Sequence, residues 1–483
     1  KKYEELFKFG NEEFILSLFN DTFGSNANSY EDLLDVYKSL VFTYFATSLK
    51  DIKKASRYSK YSLPKNTTYV YVFINNLMRD KTTREYFEKL SRDIETEFGI
   101  TDLLNGMDIE DYCLSDAFIS IDKNIIKYII DKLFNSIGEY EVYKHYIDIR
   151  ENKYWYEKLE NEYNLLKNSI AFFEKINSIE NAIKIVDIDR FAKDYTDNFY
   201  EVDTLYRKIY FYYDSIEDKD IFINLKNKIE NIYVNDFMSE LSIKWSDMIE
   251  NMPKYDSNRM TLQKDFYKNY IKPFNDKKDR IIVIISDAFR YECAKELNSK
   301  LKNFASKSDI GYMQGIVPSY TKLGMASLLP NKELSRVKDS DDILVDGQVS
   351  SSLKDRELLL QKENIDSIAV KYDDLYEMTK LEWKKLFSGK KVVYIYHDTI
   401  DNAGEHNENT IFTACDKAIN ELEKLVRDLH TTFSGINAFI TADHGFFYKR
   451  GKIESYEKTS KIANATKQKT RYSYSASIVD EEG

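Results

Sequence analysis

The sequence predicts an α/β domain with a mostly parallel central sheet, preceded by a mainly α-helical region. Glycine is unevenly distributed: of the 15 glycines, five lie in residues 1–280 and ten in 281–483, with none in 139–280. From residue 281 onward, short apolar runs rich in β-branched residues alternate with helical patterns. Such alternation is typical of an α/β fold built on a parallel sheet.

The stretch before residue 280 has the composition of helices. Its long segments lack glycine, are poor in proline and are rich in Leu, Ile, Glu and Lys, which favours helix formation. Within 151–176, bulky apolar side chains recur every three to four residues, as one buried helical face requires. The predicted helices are 29–48, 84–97, 124–147, 151–176, 218–237 and 258–271. We therefore predict a mainly helical N-terminal region over 1–250 and a helical linker over 251–280.

The predicted α/β domain covers residues 281–483. Its three predicted strands are 281–285, 392–396 and 438–441. The first is a continuous run of isoleucine and valine, which is typical of a strand that is buried on both faces. Helices are predicted over 290–301 and 411–429, and a polar, mobile insertion over 331–365.

Composition excludes several classes of protein. The net charge of −11 argues against a generic basic nucleic-acid binder, so any contact with a polyanion would need a local basic patch. The three cysteines form no CxxC pair, which disfavours a thiolate zinc site or a disulfide framework and fits a reducing cytoplasm. No run of about 18 apolar residues predicts a membrane span. The sequence starts with neither an initiator methionine nor a signal peptide, so we expect a fragment of a longer protein.

Metal-type ligands follow each of the three predicted strands. In open α/β sheets, ligands bind outside the carboxyl ends of the strands. The candidates at these ends are Asp287, His397, Asp401, His406, Asp443 and His444, which include three of the chain's five histidines. If the strands are parallel neighbours, these groups converge on one edge. A mixture of carboxylates and imidazoles suits zinc or manganese and leaves room for a substrate oxygen.

A fourth segment, 318–330, fits the same site as a loop, a short helix and a proline stop. Thr321 lies at the predicted helix start, where free backbone N–H groups and the helix dipole favour phosphate. A metal could lower the pKa of its hydroxyl and make it a nucleophile. Arg290 and Lys322 are candidates for holding phosphate oxygens. Taken singly, Thr321 and Asp287 could each be an ordinary helix cap, and only the combined pattern points to phosphoryl chemistry.

Four segments, in this order and spacing, resemble the motif series of the PglZ domain, a branch of the alkaline phosphatase superfamily. They are SDAFRYE at 286–292, PSYT at 318–321, YIYHDTID at 394–401 and TADHGF at 441–446. The resemblance covers roughly 260–450. The helical region before it resembles, less sharply, the N-terminal part of PglZ proteins from type 1 BREX phage-defence systems. The resemblance therefore implies an alkaline-phosphatase-like domain with a mostly parallel central sheet.

The resemblance also assigns residues to a first metal ion. Asp287, Thr321, Asp443 and His444 match the ligands of that ion, and Thr321 matches the nucleophile. Asp401 matches a ligand of a second metal ion. The resemblance thus implies two divalent ions, with zinc as the first choice and manganese or magnesium as alternatives.

The second metal site departs from the superfamily pattern. The usual histidine four residues after Asp401 is Glu405 here, and His406 follows it. PglZ domains often carry an acidic residue at this point, so Glu405 can ligate in place of histidine. The resemblance leaves open whether His397 is a ligand or supports one. A further histidine in a His-Gly-Gly segment is expected downstream but does not occur before Gly483, so we expect a domain that is incomplete at its C-terminal end.

The function implied by the resemblance is a metal-dependent phosphoesterase, of phosphodiesterase or nuclease type, in a cytoplasmic BREX antiviral-defence system. The implied partners are other BREX proteins, such as the methyltransferase PglX, and the implied substrate is a nucleotide or nucleic-acid phosphodiester. No membrane partner is expected. The alternative is a non-enzymatic structural hub of the BREX complex, whose metal site is structural or vestigial. The long helical region supports an interaction role in either case.

Overall fold

The computed structural model describes residues 11–451, apart from 64, 180–186, 253, 254, 256, 258, 278, 339, 434, 435 and 448, together with the backbone of 467–468 and 473–474. The chain divides into two compact units. The first unit is Lys1–Glu174 with Tyr212–Ile229, and the second is Lys175–Phe211 with Glu230–Gly483. The domain boundaries that we placed after residues 250 and 280 stay a prediction, and the compact units divide at other positions.

The described helices outnumber the strands, as predicted for a helical region followed by an α/β domain. They are α1 Glu12–Phe23, α2 Leu33–Ser48, α3 Thr67–Arg79, α4 Arg84–Glu97, α5 Ile100–Asn105, α6 Ile109–Tyr112, α7 Ile119–Phe134, α8 Tyr140–Glu151, α9 Glu160–Ile179, α10 Ile188–Asp194, α11 Tyr200–Ser215, α12 Ile223–Asn231, α13 Ser239–Glu250, α14 Lys272–Asp276, α15 Tyr291–Leu301, α16 Thr321–Ser327, α17 Leu353–Glu363, α18 Tyr372–Glu377, α19 Lys380–Leu386, α20 Thr399–His406 and α21 Ile411–Thr432. Across the described ranges, none of these helices is long and apolar enough to span a membrane.

The predicted single helix over 124–147 is wrong, because two helices, α7 and α8, occupy this region. Ser136 adopts a left-handed backbone conformation with φ of 57°. The backbone N–H of Ile137 then donates to the carbonyl of Lys132 at 2.9 Å. A left-handed residue followed by a bond back across the last turn is a common way to end a helix. The turn at 135–139 therefore stops α7 and lets α8 start in a new direction.

The predicted helix over 258–271 is also wrong in its first part. Regular helical structure begins only with a 3-10 turn at Gln263–Asp265, followed by a π turn at Tyr267–Ile271 and then α14. Leu262, which precedes this turn, is extended and forms an isolated parallel bridge with Gln314. The N–H of Gln263 donates to the carbonyl of Gln314, and the N–H of Gln314 donates to the carbonyl of Thr261, both at 2.9 Å.

The described strands are β1 Ile281–Ser286, β2 Leu334–Arg336, β3 Ile343–Val345, β4 Gln348–Val349, β5 Ser367–Lys371, β6 Val392–His397, β7 Asn437–Thr441, β8 Lys467–Gln468 and β9 Ser473–Tyr474. The second unit is built on a four-stranded parallel sheet in the order β5-β6-β1-β7. The three predicted strands are therefore confirmed as neighbours in one sheet, and β5 was not predicted. Every residue of the central strand β1 is buried, in agreement with its unbroken β-branched sequence.

The segment predicted as a polar, mobile insertion over 331–365 contains regular structure. Its strands β2, β3 and β4 form a small antiparallel sheet. Helix α17 follows and starts with a capping box, in which Ser352 and Asp355 satisfy each other's backbone N–H groups. Such a cap offsets the free N–H groups of the first helical turn. The prediction missed this order because the polar residues here serve turns and caps.

Buried ion pairs join α11 to α15 inside the second unit. The guanidinium of Arg207 donates to Glu292 at 3.0 and 3.1 Å and to Glu296 at 2.6 Å. The side chains of Arg207 and Glu292 are 1% and 0% exposed. Because α15 directly follows β1, these bonds fix a helix of the N-terminal half to the central strand of the sheet.

We predict that Arg207→Ala lowers the stability of the second unit by about 3–5 kcal/mol, because it leaves Glu292 buried without this partner. The matched control is Arg190→Ala, which removes an exposed pair with Asp194 in the same unit and should cost far less, because solvent screens an exposed ion pair. Urea unfolding followed by circular dichroism measures both losses. Equal losses in the two variants would contradict a structural role for the buried pair.

Candidate metal centre

The ends of β1, β6 and β7 deliver acidic side chains to one edge of the sheet. The strands pair in parallel with Ser286 opposite His397 and Ile285 opposite Thr441, so their carboxyl ends coincide. The residue that follows β1 is Asp287, whose N–H donates to the carbonyl of His397 at 2.8 Å. In open α/β sheets this edge is where ligands bind.

Asp287, Asp443 and His444 form a buried cluster at this edge. Their candidate ligand atoms lie within 4.8 Å of one another. The Nε2 atom of His444 is 3.5 Å from a carboxylate oxygen of Asp287 and 3.5 Å from one of Asp443. The hydroxyl of Thr321 lies 3.1 Å from the same nitrogen. The structure thus brings together all four residues that the sequence assigned to the first metal ion.

The other ring nitrogen of His444 fixes the orientation of the imidazole. Its Nδ1 lies 3.0 Å from the carbonyl oxygen of Gly445. A carbonyl can only accept a hydrogen bond, so Nδ1 is the donor in this contact, and Nε2 faces the carboxylates. This is the arrangement in which a histidine can ligate a metal ion, with its second nitrogen held by a backbone carbonyl.

The cluster has more buried negative charge than the nearby side chains satisfy. Burial, followed by repulsion from Asp443, Asp401 and Asp398, raises the pKa of Asp287 to about 10. Burial also raises the pKa of Asp443. Among the described residues, one carboxylate oxygen of each of Asp287 and Asp443 is buried without a hydrogen-bond partner. A buried oxygen without a hydrogen-bond partner lowers the stability of the fold. A divalent cation would bind to these oxygens and to the imidazole of His444, so the cluster fits a metal site.

A second acidic group adjoins the first and shares Asp287 with it. The candidate ligand atoms of Asp287, Asp398 and Asp401 also lie within 4.8 Å of one another. Asp401 was predicted for the second metal ion, whereas Asp398 was not. Asp398 precedes the first residue of α20, and Asp401 lies three positions later, so both point from one face of the helix start. The three-residue spacing between Asp398 and Asp401 is the sequence feature from which Asp398 could have been predicted as a ligand.

Three other predicted ligands lie outside these two groups of described residues. The ring of His397 is buried, with Nδ1 2.9 Å from the hydroxyl of Ser286 and Nε2 3.1 Å from Glu421. His397 thus sits in a hydrogen-bond network beside the acidic groups. Glu405 and His406 are exposed, and Nδ1 of His406 bonds to the carbonyl of Asn402 at 2.8 Å. A ligand role for any of the three stays a prediction.

Both candidate phosphate-binding residues already have carboxylate partners. Arg290 is buried and bonds to Asp203 at 2.6 Å. Lys322 bonds to Asp342 at 2.7 Å, and this bond is the main cause that lowers the pKa of Asp342. Phosphate binding by either residue stays a prediction, and it would have to compete with these ion pairs.

Gly324 explains how Thr321 reaches the cluster. A Cβ atom at Gly324 would lie 2.3 Å from the carbonyl oxygen of Asp443, so only glycine lets α16 pack this closely on the ligand segment. Thr321 is the first residue of α16, and Tyr320 takes the N-cap position. The alternative in which Thr321 is an ordinary N-cap is therefore wrong. Its hydroxyl instead faces His444.

The chain is similar in sequence to proteins that are already known. Residues 266–483 match the family described as the BREX system PglZ alkaline phosphatase-like domain, so the second unit contains an alkaline phosphatase-like domain. Over its whole length, the chain is 37% identical to the alkaline phosphatase-like protein PglZ of Bacillus cereus (strain H3081.97), of which it covers 57%. The chain belongs to the PglZ family.

A second relative is the alkaline phosphatase-like protein BrxZ of Escherichia coli O9:H4 (strain HS). The identity is 31% over 379 residues, which include 74% of this chain and 43% of the relative. The chain therefore spans about half the length of the curated relatives that it matches.

We predict that Gly324→Ala displaces α16 and weakens binding of Zn²⁺, because the new methyl group would meet backbone atoms that cannot rotate away. The expected loss of stability is about 1–3 kcal/mol. Thermal unfolding gives the stability, and a crystal structure gives the distance from Thr321 to His444. The control is Gly311→Ala, whose Cβ would meet nothing within 4 Å. A Gly324→Ala structure with an unchanged distance would contradict the packing argument.

We also predict that Zn²⁺ stabilises the chain and that a chelator reverses this effect, since the cation neutralises the buried carboxylates. At a free concentration of about 100 times Kd, the expected gain is about 2.7 kcal/mol. Asp287→Asn should raise the stability of the metal-free chain at neutral pH, because the amide does not have to take up a proton on folding as the buried Asp287 carboxyl does, and should abolish most of the gain from Zn²⁺. Calorimetric melting with and without Zn²⁺ measures both effects. Asp373→Asn, at an exposed position, should behave like the unchanged chain.

Proposed function

We propose that this chain carries the catalytic centre of a metal-dependent phosphoesterase in a BREX phage-defence system, with Thr321 as the nucleophile. The observation that carries the proposal is the position of the Thr321 hydroxyl, 3.1 Å from Nε2 of His444, beside two buried carboxylates with unpaired oxygens. Membership of the PglZ family and the names of the two relatives support a place in a BREX system.

The proposed centre holds two divalent cations. Asp287, Thr321, Asp443 and His444 would hold the first, and Asp401 would hold the second together with the newly found Asp398. When bound, such ions polarise phosphoryl oxygens and lower the pKa of a coordinated hydroxyl. Zinc fits the mixed carboxylate and imidazole donors of the first site best, with manganese or magnesium as alternatives.

The proposed reaction has two steps, and Thr321 takes part in both. The Thr321 hydroxyl loses its proton to water and its oxygen forms a bond to phosphorus, while the bond from phosphorus to the leaving oxygen breaks and the leaving oxygen takes up a proton from water. The resulting phosphothreonine is then hydrolysed, which restores the hydroxyl and releases phosphate or a phosphomonoester. The packing of Gly324 on Asp443 holds Thr321 in position, so little reorganisation is needed before attack.

The proposed substrate is a phosphodiester of a nucleotide or nucleic acid. With a net charge of −11, the chain is poorly suited to tight binding of DNA by itself at physiological salt. We therefore propose that other BREX proteins, such as the methyltransferase PglX, supply the contact with DNA. The cysteines found among the described residues are free and buried, which suits the reducing cytoplasm that we propose as its location.

We predict that Thr321→Ala reduces hydrolysis of an aryl phosphodiester by the Zn²⁺-loaded protein about 10³-fold or more, because it removes the nucleophile. Thr321→Ser should keep part of the activity, since it retains a hydroxyl. Thr431→Ala removes an exposed hydroxyl on α21 and should leave the rate unchanged. Release of the aryl alcohol, followed by absorbance, gives the rates.

Full activity in Thr321→Ala would exclude the nucleophile assignment. Restriction of phage in cells separates the enzyme from the structural hub. If Thr321→Ala abolishes hydrolysis and restriction together while the chain still folds, the chemistry serves defence. If phage restriction persists without hydrolysis, the result favours the alternative that the protein serves defence as a structural hub of the BREX complex.

A further inference from the structure

We infer that Gln263 is a positioning residue of the metal centre, which fixes the distance between the nucleophile segment and the carboxylate ligand Asp443. This inference rests on the proposed function and adds a residue to it. Gln263 lies before residue 266, where the family match begins, and it belongs to none of the motifs that suggested the site. It follows Leu262, which is extended although a helix was predicted over 258–271.

Both polar atoms of the buried Gln263 amide are used. Its nitrogen donates to the carbonyl of Asp443 at 2.6 Å, and its oxygen accepts from the N–H of Ile316 at 2.8 Å. The residue is 3% exposed. A primary amide is the side-chain group that can donate at one atom and accept at the other without carrying charge. No charged side chain could do both beside the carboxylates.

The two partners of Gln263 belong to the two halves of the centre. Ile316 lies five residues before Thr321, in the segment that leads into α16. The carbonyl of Asp443 is the same atom on which Gly324 packs. The amide therefore links the segment entering the nucleophile helix to the backbone of a metal ligand. Gln263 is itself anchored, because its own N–H donates to the carbonyl of Gln314.

A role in general folding is the competing explanation, and the chain contains a matched comparison for it. Gln314 is 6% exposed and also uses both amide atoms. Its oxygen accepts from the N–H of Ser257 at 2.6 Å, and its nitrogen donates to the carbonyl of Tyr255 at 3.2 Å. Gln314 thus makes equivalent bonds in the same paired segment without a side-chain bond to a metal ligand.

The test compares Gln263→Met, Gln263→Glu and Gln314→Met in the 483-residue chain. Gln263→Met keeps the length but removes both bonds. Gln263→Glu keeps the acceptor for Ile316 but turns a carboxylate oxygen towards the carbonyl of Asp443. Titration calorimetry with Zn²⁺ gives the affinity, and circular dichroism confirms folding. Should Gln263→Met fail to fold, Gln263→Glu decides the matter, because it preserves the size and one of the two bonds.

Both Gln263 variants should bind Zn²⁺ about 10–100-fold more weakly than the unchanged chain, as is usual when a group that orients a ligand is lost. Gln314→Met should bind Zn²⁺ with unchanged affinity, even if it melts earlier. Unchanged affinity in the Gln263 variants would overturn the inference, as would an equal loss in Gln314→Met.

Hydrolysis of the aryl phosphodiester, measured on the same samples, tests the proposed function separately. If the unchanged chain binds Zn²⁺ without hydrolysis and the Gln263 variants bind weakly, the proposed function fails and the positioning role stands. If hydrolysis and Zn²⁺ affinity are both normal in the Gln263 variants, the positioning role fails alone. If the unchanged chain binds no Zn²⁺, both are overturned.

Discussion

Two carboxyl groups, those of Asp287 and Asp443, are held at the buried ends of neighbouring parallel strands, and the rest of the site is arranged around them. Their unpaired oxygens are stable only with protons or with a cation. Nε2 of His444 faces the same space, and Nδ1 is held by the carbonyl of Gly445. The basic side chain at this point is that of His444, whose Nε2 lies 3.5 Å from a carboxylate oxygen of each residue, whereas Arg290 and Lys322 are paired elsewhere. A binding site for a small cation is what remains.

The carbonyl oxygen of Asp443 is the atom on which the neighbouring segments of the site pack. Gly324 approaches it within a distance that excludes any side chain, and Gln263 donates to it from the opposite part of the chain. One backbone atom thus sets the relative positions of three segments that are far apart in sequence. The positions of the reacting groups depend on such contacts, because displacing one of these groups by about 1 Å lowers the reaction rate by orders of magnitude.

Much of the sheet and part of the site could be predicted from sequence, for a physical reason. A strand buried on both faces must be apolar throughout, as in β1, and polar residues at its end are then conspicuous. Other features left no such pattern. Asp398 was hidden inside a motif that already contained a predicted ligand. A single glutamine, Gln263, has no periodicity to reveal that its partner lies 180 positions away. Helix α3 contains many β-branched and aromatic residues, and its tertiary contacts outweigh that local preference.

The buried ion pairs between α11 and α15 limit how the α/β domain can be transferred from one protein to another during evolution. Arg290 and Glu292 lie inside the family match, whereas their partners Asp203 and Arg207 lie more than fifty residues before it starts. A gene fusion that transferred only residues 266–483 would carry buried charges without their counter-ions, and it would also omit Gln263. The shortest segment that keeps every one of these buried charges with its partner therefore begins before α11. Within this family, we expect exchange between lineages to keep that helix and the α/β fold together.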